Sequence, residues 1–261
     1  MAYLNNLDPV LEIQRTGKYG GKTAMAFQIF GRRSSFTSTS VLNDVGEGIG
    51  AAGTALFPVL TGAETIQAVS SSLNDDGSPA GTGAQTIKVT YINTSYAITT
   101  TADITLNGTT AVTVTTADCL AILWAEVTAV GSNGVAFGTI TIRTSAPLTL
   151  SQITSGGNRS MDCFFMVPDG YKAYIKQWDG ENIQNSQDFR LRALVNTHDR
   201  TLSSVYHFQS THNTPSNTSF IDELPYLQFP ARCKITGTTI SSSLAAGTRA
   251  SVGFTIILIA T

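Results

Sequence analysis

The chain has 261 residues, enough for one large or two modest domains, and 42% of them are hydrophobic, so every part can carry a core. Only 13% are charged, against about 25% in ordinary soluble proteins, and the net charge is −2. No global field draws such a chain to nucleic acid. Its Thr, Ser and Gly content suits a β-rich protein with faces covered by hydroxyls or hidden against other subunits.

The first sixty residues, with FGRRSSFTSTS and GEGIGAAGTA, are glycine-rich and weakly periodic, and read as an extended N-terminal arm over 1–60. Inside it, TGKYGGKTAMAF (16–27) imitates a nucleotide-binding P-loop. That loop needs Gly, four residues, then Gly-Lys-Ser/Thr, so that backbone N–H groups wrap the phosphates. Counting back from Gly21-Lys22-Thr23, the required glycine falls on Thr16, and Gly17 leaves the loop one residue short. Lys22 therefore reads as a surface or interface cation, and no cofactor is expected. From Ile13 to Asn43 the basic residues Arg15, Lys18, Lys22, Arg32 and Arg33 occur without a carboxylate. They are either a solvated arm or the face of an arm that lies on an acidic partner, and these five are the candidate partner-binding residues.

Beyond residue 60, period-two alternation recurs between turn residues and helix signals are nearly absent. TIKVTYI (86–92) places Ile87, Val89 and Tyr91 on one face. ITLNGTTAVTV (104–114) predicts a tight hairpin about Asn107-Gly108, because Asn-Gly tolerates positive φ. LAILWAEV (120–127) and VAFGTITIRT (135–144) complete an antiparallel unit. A second set follows: CFFMV before the Pro168-Asp169-Gly170 turn, YKAYIKQW, FRLRALV, SVYHFQS, YLQFP, CKITGTTI, and SVGFTIILIA, which is apolar on both faces as a central strand would be. The reading is all-β: an extended N-terminal arm over 1–60, then two antiparallel, jelly-roll-like β-sandwich domains over 61–148 and 149–261. No repeat of fixed period is present.

Candidates for chemistry are few. Cys119, Cys163 and Cys233 are odd in number and without CxxC spacing, and two of them adjoin apolar runs, so buried thiols are expected rather than disulfides or metal ligands. His198, His207 and His212 lack metal-site company. Asn74-Asp75-Asp76-Gly77 starts like a calcium loop but lacks its alternating acids, and reads as a plain turn. Asp179-Gly180-Glu181 and Asp222-Glu223 could supply a glycosidase's paired carboxylates, or simply solvate loops. Strand alternation puts Tyr174 and Trp178 on one face, which fits a sugar platform with Tyr171 or, more commonly, a core layer. No triad or nucleophile elbow is legible. The apolar run Gly253–Ala260 is far short of a membrane span, which takes about 20 residues, and no signal peptide opens the chain, so a soluble protein made in a reducing cytoplasm is expected.

Phe30-Gly31-Arg32, the segment Ser70–Val89, the ITLNGTTAVT hairpin at Ile104–Thr113 and VPDGYKAYI at Val167–Ile175 occur in the order seen in a family of virion structural proteins of tailed bacteriophages, notably marine and cyanobacterial ones. The chain resembles that family over most of its length, departing in the long connector NTSYAITTTAD before the hairpin. The resemblance implies a non-enzymatic part of the particle. A capsid decoration or cement protein held by its arm is the first expectation. A tail, neck or receptor-binding protein with a glycan-binding outer sandwich is the alternative. Expected partners are other virion proteins, the major capsid protein first, and further copies of the chain as a homo-oligomer, with a trimer favoured; nucleic acid and membrane are not expected.

Overall fold

The computed structural model describes residues 8–34, 36, 42–47, 57, 58, 60–242 and 248–261. Much of the expected arm, including nearly all of GEGIGAAGTA, lies outside the described residues, and the part inside is built into the body. Asp8 caps an eight-residue helix, α1 (Pro9–Thr16), by accepting from Val10 N at 2.9 Å, and Gly17 ends it in the left-handed region with its N–H on the Ile13 carbonyl. Asp at N-cap, Pro at the first position and Gly just past the end are standard helix punctuation. Eight residues are too short for periodicity to disclose the helix.

β1 (Lys18–Tyr19) turns through Gly20 and Gly21 into β2 (Lys22–Arg33). β2 is extended, as expected, but its length is hydrogen-bonded antiparallel to the chain's last strand, from Ala24 opposite Ile259 to Arg33 opposite Ala250. Alternation explains the placement: Met25, Phe27 and Ile29 enter the main core, while Ala24 and Ala26 meet Ile13 of α1 on the other face. β3 (Asn43–Asp44) follows.

The first body is one antiparallel sheet curled about its own core. Its strands are β4 (Glu64–Ser70), β5 (Ala84–Asn93), β6 (Ile98–Thr100), β7 (Ile104–Thr105), β8 (Val112–Val130), β9 (Ile140–Thr144) and β10 (Thr149–Ile153). They run in the order β10-β9-β4-β8-β5-β6, with β7 also on β5, around Ile66, Ile87, Val89, Leu106, Ile140 and Ile142. Because β10 pairs with β9, this sheet continues past the expected division at 148/149 to Ile153. The Asn107-Gly108 turn forms, with Thr110 N on the Asn107 carbonyl at 2.9 Å and Gly108 at φ +52°. Its flanks do not form the expected hairpin, however. Ile104 and Thr105 pair with β5, whereas Val112 pairs with Ala68 of β4.

The second body is a sandwich of β11 (Phe164–Met166), β12 (Tyr171–Ile183), β13 (Gln187–Val195), β14 (Leu202–Thr214), β15 (Ser219–Phe229), β16 (Lys234–Ser241) and β17 (Arg249–Ala260), joined by β1, β2 and β3. One sheet has the order β1-β2-β17-β12-β15 and the other β11-β16-β13-β14, with β3 beside β16. Their inner faces share Phe165, Trp178, Phe189, Phe229 and Phe254. β17 is central, as its two apolar faces require: Phe254, Ile256 and Leu258 point to this core, and Ile257 to α1. The two bodies meet where the Phe27 ring lies 5.8 Å from both Trp124 and Phe165. Among the described residues no helix is long and apolar enough to cross a membrane.

Candidate interaction surface

The structure separates the five candidate cations into two groups. Arg15 at the end of α1, Lys18 in β1 and Lys22 at the start of β2 are exposed and close in sequence around one tight turn. Arg32 is half-buried and pairs through Nε with Glu47 at 3.5 Å. Arg33 is a correction. It is 1% exposed and donates from Nη1 to the Asp44 carbonyl at 2.9 Å, so it faces the protein's interior and not a partner. Burial pulls its guanidinium down to about 10, opposed by the charge of Asp44.

Asp44 explains why Arg33 is inside. Its Oδ1 accepts from Arg192 Nη2 at 2.8 Å and Thr236 Oγ1 at 3.1 Å, and its Oδ2 accepts from Phe57 N. Burial raises the Asp44 pKa, partly offset by Arg192. The segment 42–47, a strap that carries Asp44, thus lies beside β16 through β3 and reaches Arg192 of β13 with its carboxylate.

An acidic pair sits where the two bodies join. Asp162 and Glu47 are both buried; Ser151 donates its hydroxyl to Asp162 and Thr154 donates to Glu47. Burial, with Glu47 adding repulsion, pushes Asp162 up to about 7. Beside this joint a cavity of about 310 Å³ is lined by Phe30, Arg32, Met161, Glu181, Ile183 and Arg249. Sequence reasoning passed over both acids, because each becomes notable only beside the other.

Trp178 is fully buried and meets Phe220 edge-on at 4.7 Å. The alternation that puts Tyr174 on its face fails, because β12 has a register shift between Ile175 and Gln177. One residue of slip reverses the facing, so Tyr174 packs beside α1 while Trp178 enters the core. The platform loses its tryptophan. Asp179 and Asp222 lie in strands, not loops. Asp179 is opposite Ile221 and Asp222 opposite Trp178, which places the two carboxylates on opposite faces of the sheet. The Asn74–Gly77 turn contains a buried clamp: Asp75 accepts from Ala84 N at 2.7 Å, Phe137 N at 2.8 Å, Gly138 N at 2.7 Å and Ser70 Oγ at 2.6 Å. All three cysteines are free and buried. Among the described residues no three His, Cys, Asp or Glu side chains come together as a metal site would require.

No protein-family model matches the chain, and no curated protein matches it. Among solved structures, the chain is similar to a protein of infectious bursal disease virus, Gx strain, at 11% identity, with 92% of this chain and 72% of that one covered and a TM-score of 0.26. The corresponding figures for the Gt strain are 10%, 92%, 71% and 0.25. A chain from a T13 particle of the same virus gives 10%, 92%, 73% and 0.22. These scores lie far below those of shared folds.

Proposed function

We propose that this chain is a non-enzymatic structural component of a tailed-phage virion, most simply a decoration or cement protein on the head. The observation that carries the reading is the ordered set of phrases that resembles such a family, because each phrase does framework work here. Gly31 lets β2 pass the segment 42–47, since a Cβ there would lie 2.0 Å from the Val45 carbonyl oxygen. The Ser70–Val89 phrase builds the Asp75 clamp. Gly108 and Gly170 take positive φ in their turns. A resemblance concentrated in joints speaks for a shared scaffold, and the low charge of the chain suits faces that meet other subunits.

The partner-facing cations in this reading are Arg15, Lys18 and Lys22, with Arg32 at the margin and Arg33 withdrawn. An exposed basic cluster binds an acidic particle surface through screened charge, so added salt weakens it. The test is binding of the purified chain to particles that lack it. Lys18→Glu with Lys22→Glu is expected to weaken binding at least about tenfold, the cost of losing about 1.4 kcal/mol, with the melt unchanged. Binding indifferent to both the reversal and to salt would move the anchor to another face.

A further inference from the structure

We propose that the outer face of the β1-β2-β17-β12-β15 sheet carries a binding site for a neutral sugar ring, held over Ser251 between Phe30 and Arg32 on one wall and Glu181 on the other. The proposal goes beyond the structural-component reading and does not rest on it.

Register builds the site. Arg32 lies opposite Ser251 and Ser251 opposite Glu181; one step along, Phe30 lies opposite Gly253 and Gly253 opposite Asp179. Residues directly across a sheet share a face. This face is the outer one, because the alternate residues Ile29, Val252, Phe254 and Trp178 enter the core. The central strand, β17, thus contributes the small residues Ser251 and Gly253, and its neighbours β2 and β12 contribute long ones. The result is a trough two strand spacings wide, about 10 Å between the backbones of its walls. Its deep part is the cavity of about 310 Å³ beside Asp162 and Glu47, bounded by Met161 at the side and by the cross-strand pair Arg249 and Ile183 at one end. That volume is at the lower end for small-ligand sites, about 300–1,000 Å³, and suits a single ring with its substituents.

Charge and shape select the occupant. The side chains of Arg249, Glu181 and Asp179 have no hydrogen-bond or ion-pair partner among the described residues, while Arg32 meets Glu47 through Nε. The Asp179 carboxylate leans over the bare floor at Gly253, where a Cβ would lie 3.2 Å from each of its oxygens. Donors therefore stand at Arg32 and Arg249 and acceptors at Glu181 and Asp179. An anion entering the trough meets two carboxylates, a cation meets two guanidiniums, and an apolar ligand leaves all four groups unpaired as water is expelled. A neutral polyol satisfies both sides: its hydroxyls donate to Glu181 and accept from Arg249, in charge-assisted bonds. Phe30, 43% exposed, supplies the apolar half of the recognition, because the negative π face of an aromatic ring receives the C–H face of a pyranose.

Titration of the purified full chain with methyl glucoside, galactoside and mannoside, followed by NMR, tests this. At least one of these neutral glycosides is expected to bind and to shift the amides of Phe30, Ser251 and Glu181. Glucuronate and glycine, which carry charge, are expected to bind at least about tenfold more weakly. Phe30→Ala and Glu181→Ala are each expected to weaken glycoside binding at least about tenfold with the melt unchanged. If Phe30→Ala fails to fold, Glu181→Ala decides alone, because Glu181 is exposed. No binding of any neutral glycoside, equal or tighter binding of glucuronate or glycine, or glycoside binding indifferent to these substitutions overturns the proposal. Those outcomes leave the virion reading standing, since particle binding tests it separately.

Discussion

Arg192 donates from Nη2 to Oδ1 of Asp44 at 2.8 Å, and both side chains are buried, although 148 residues separate them. This bond ties the segment after β2 to β13 of the second body, with Thr236 Oγ1 and Phe57 N completing the carboxylate's partners. Breaking a buried pair by removing one member strands the other charge. Asp44→Ala is therefore expected to cost about 3–5 kcal/mol in urea unfolding. A loss below about 1 kcal/mol, as for an exposed pair, would show that water reaches Arg192.

The Asp162–Glu47 joint makes stability depend on pH. Folded Asp162 keeps its proton up to about 7 because burial, then Glu47, disfavours its charge. An unfolded Asp releases its proton near 4, roughly. Between those values the folded state holds the extra proton, so this group's contribution is full below about pH 4 and is lost as pH rises through about 7. Around it stand Glu47, Arg32 paired to Glu47, Ser151 and Ser160, with Lys234 and Arg159 lining adjacent cavities. Asp162→Asn is expected to flatten the profile, gaining on the parent by a few kcal/mol at pH 8 and by little at pH 4. Parallel melting profiles for the two proteins would contradict this.

The Asp75 clamp predicts a local failure. Asp75→Ala leaves the N–H groups of Ala84, Phe137 and Gly138 without their acceptor. Unmet buried donors cost about 1–3 kcal/mol each, so a loss of at least about 3 kcal/mol is expected. Asp75→Asn does not rescue it, because its amide turns a donor toward donors. Limited proteolysis should then cut within residues 131–139 first. An unchanged melt would mean that the loops hold one another without the carboxylate.

Two glycines give a paired test. A Cβ at Gly31 would lie 2.0 Å from Val45 O and 2.3 Å from Cys163 N, both backbone atoms, while one at Gly62 meets nothing within 4 Å. Gly31→Ala is expected to cost about 3 kcal/mol or more, at the upper end for overpacking. Gly62→Ala should stay within about 0.5 kcal/mol of the parent. Equal melts for the two variants would refute the close passage of β2 under the strap.

The strands of the second body were legible because burial on one face writes itself as alternation: Phe189, Leu191, Ala193 and Val195 are all fully buried, as their spacing predicts. What failed was information held between distant residues. Arg33 looks exposed beside Gly31 and Ser34, and only Asp44 and the strap around it put the side chain inside. Asp75 looks like a turn acid until Phe137 and Gly138 supply its donors. The bulge after Ile175 breaks the alternation that linked Tyr174 to Trp178. α1 carried its punctuation in Asp8, Pro9 and Gly17, but two turns leave no period to read.

A structural role in a virion is proposed for this chain. The most direct measurement is a cryo-electron-microscopy map of purified particles, with the amount of this chain measured by quantitative mass spectrometry. Density for both β bodies is expected at symmetry-related positions on the head, in fixed proportion to the capsid protein, with Arg15, Lys18 and Lys22 toward an acidic neighbour. Intact, infectious particles that contain none of this chain would contradict it.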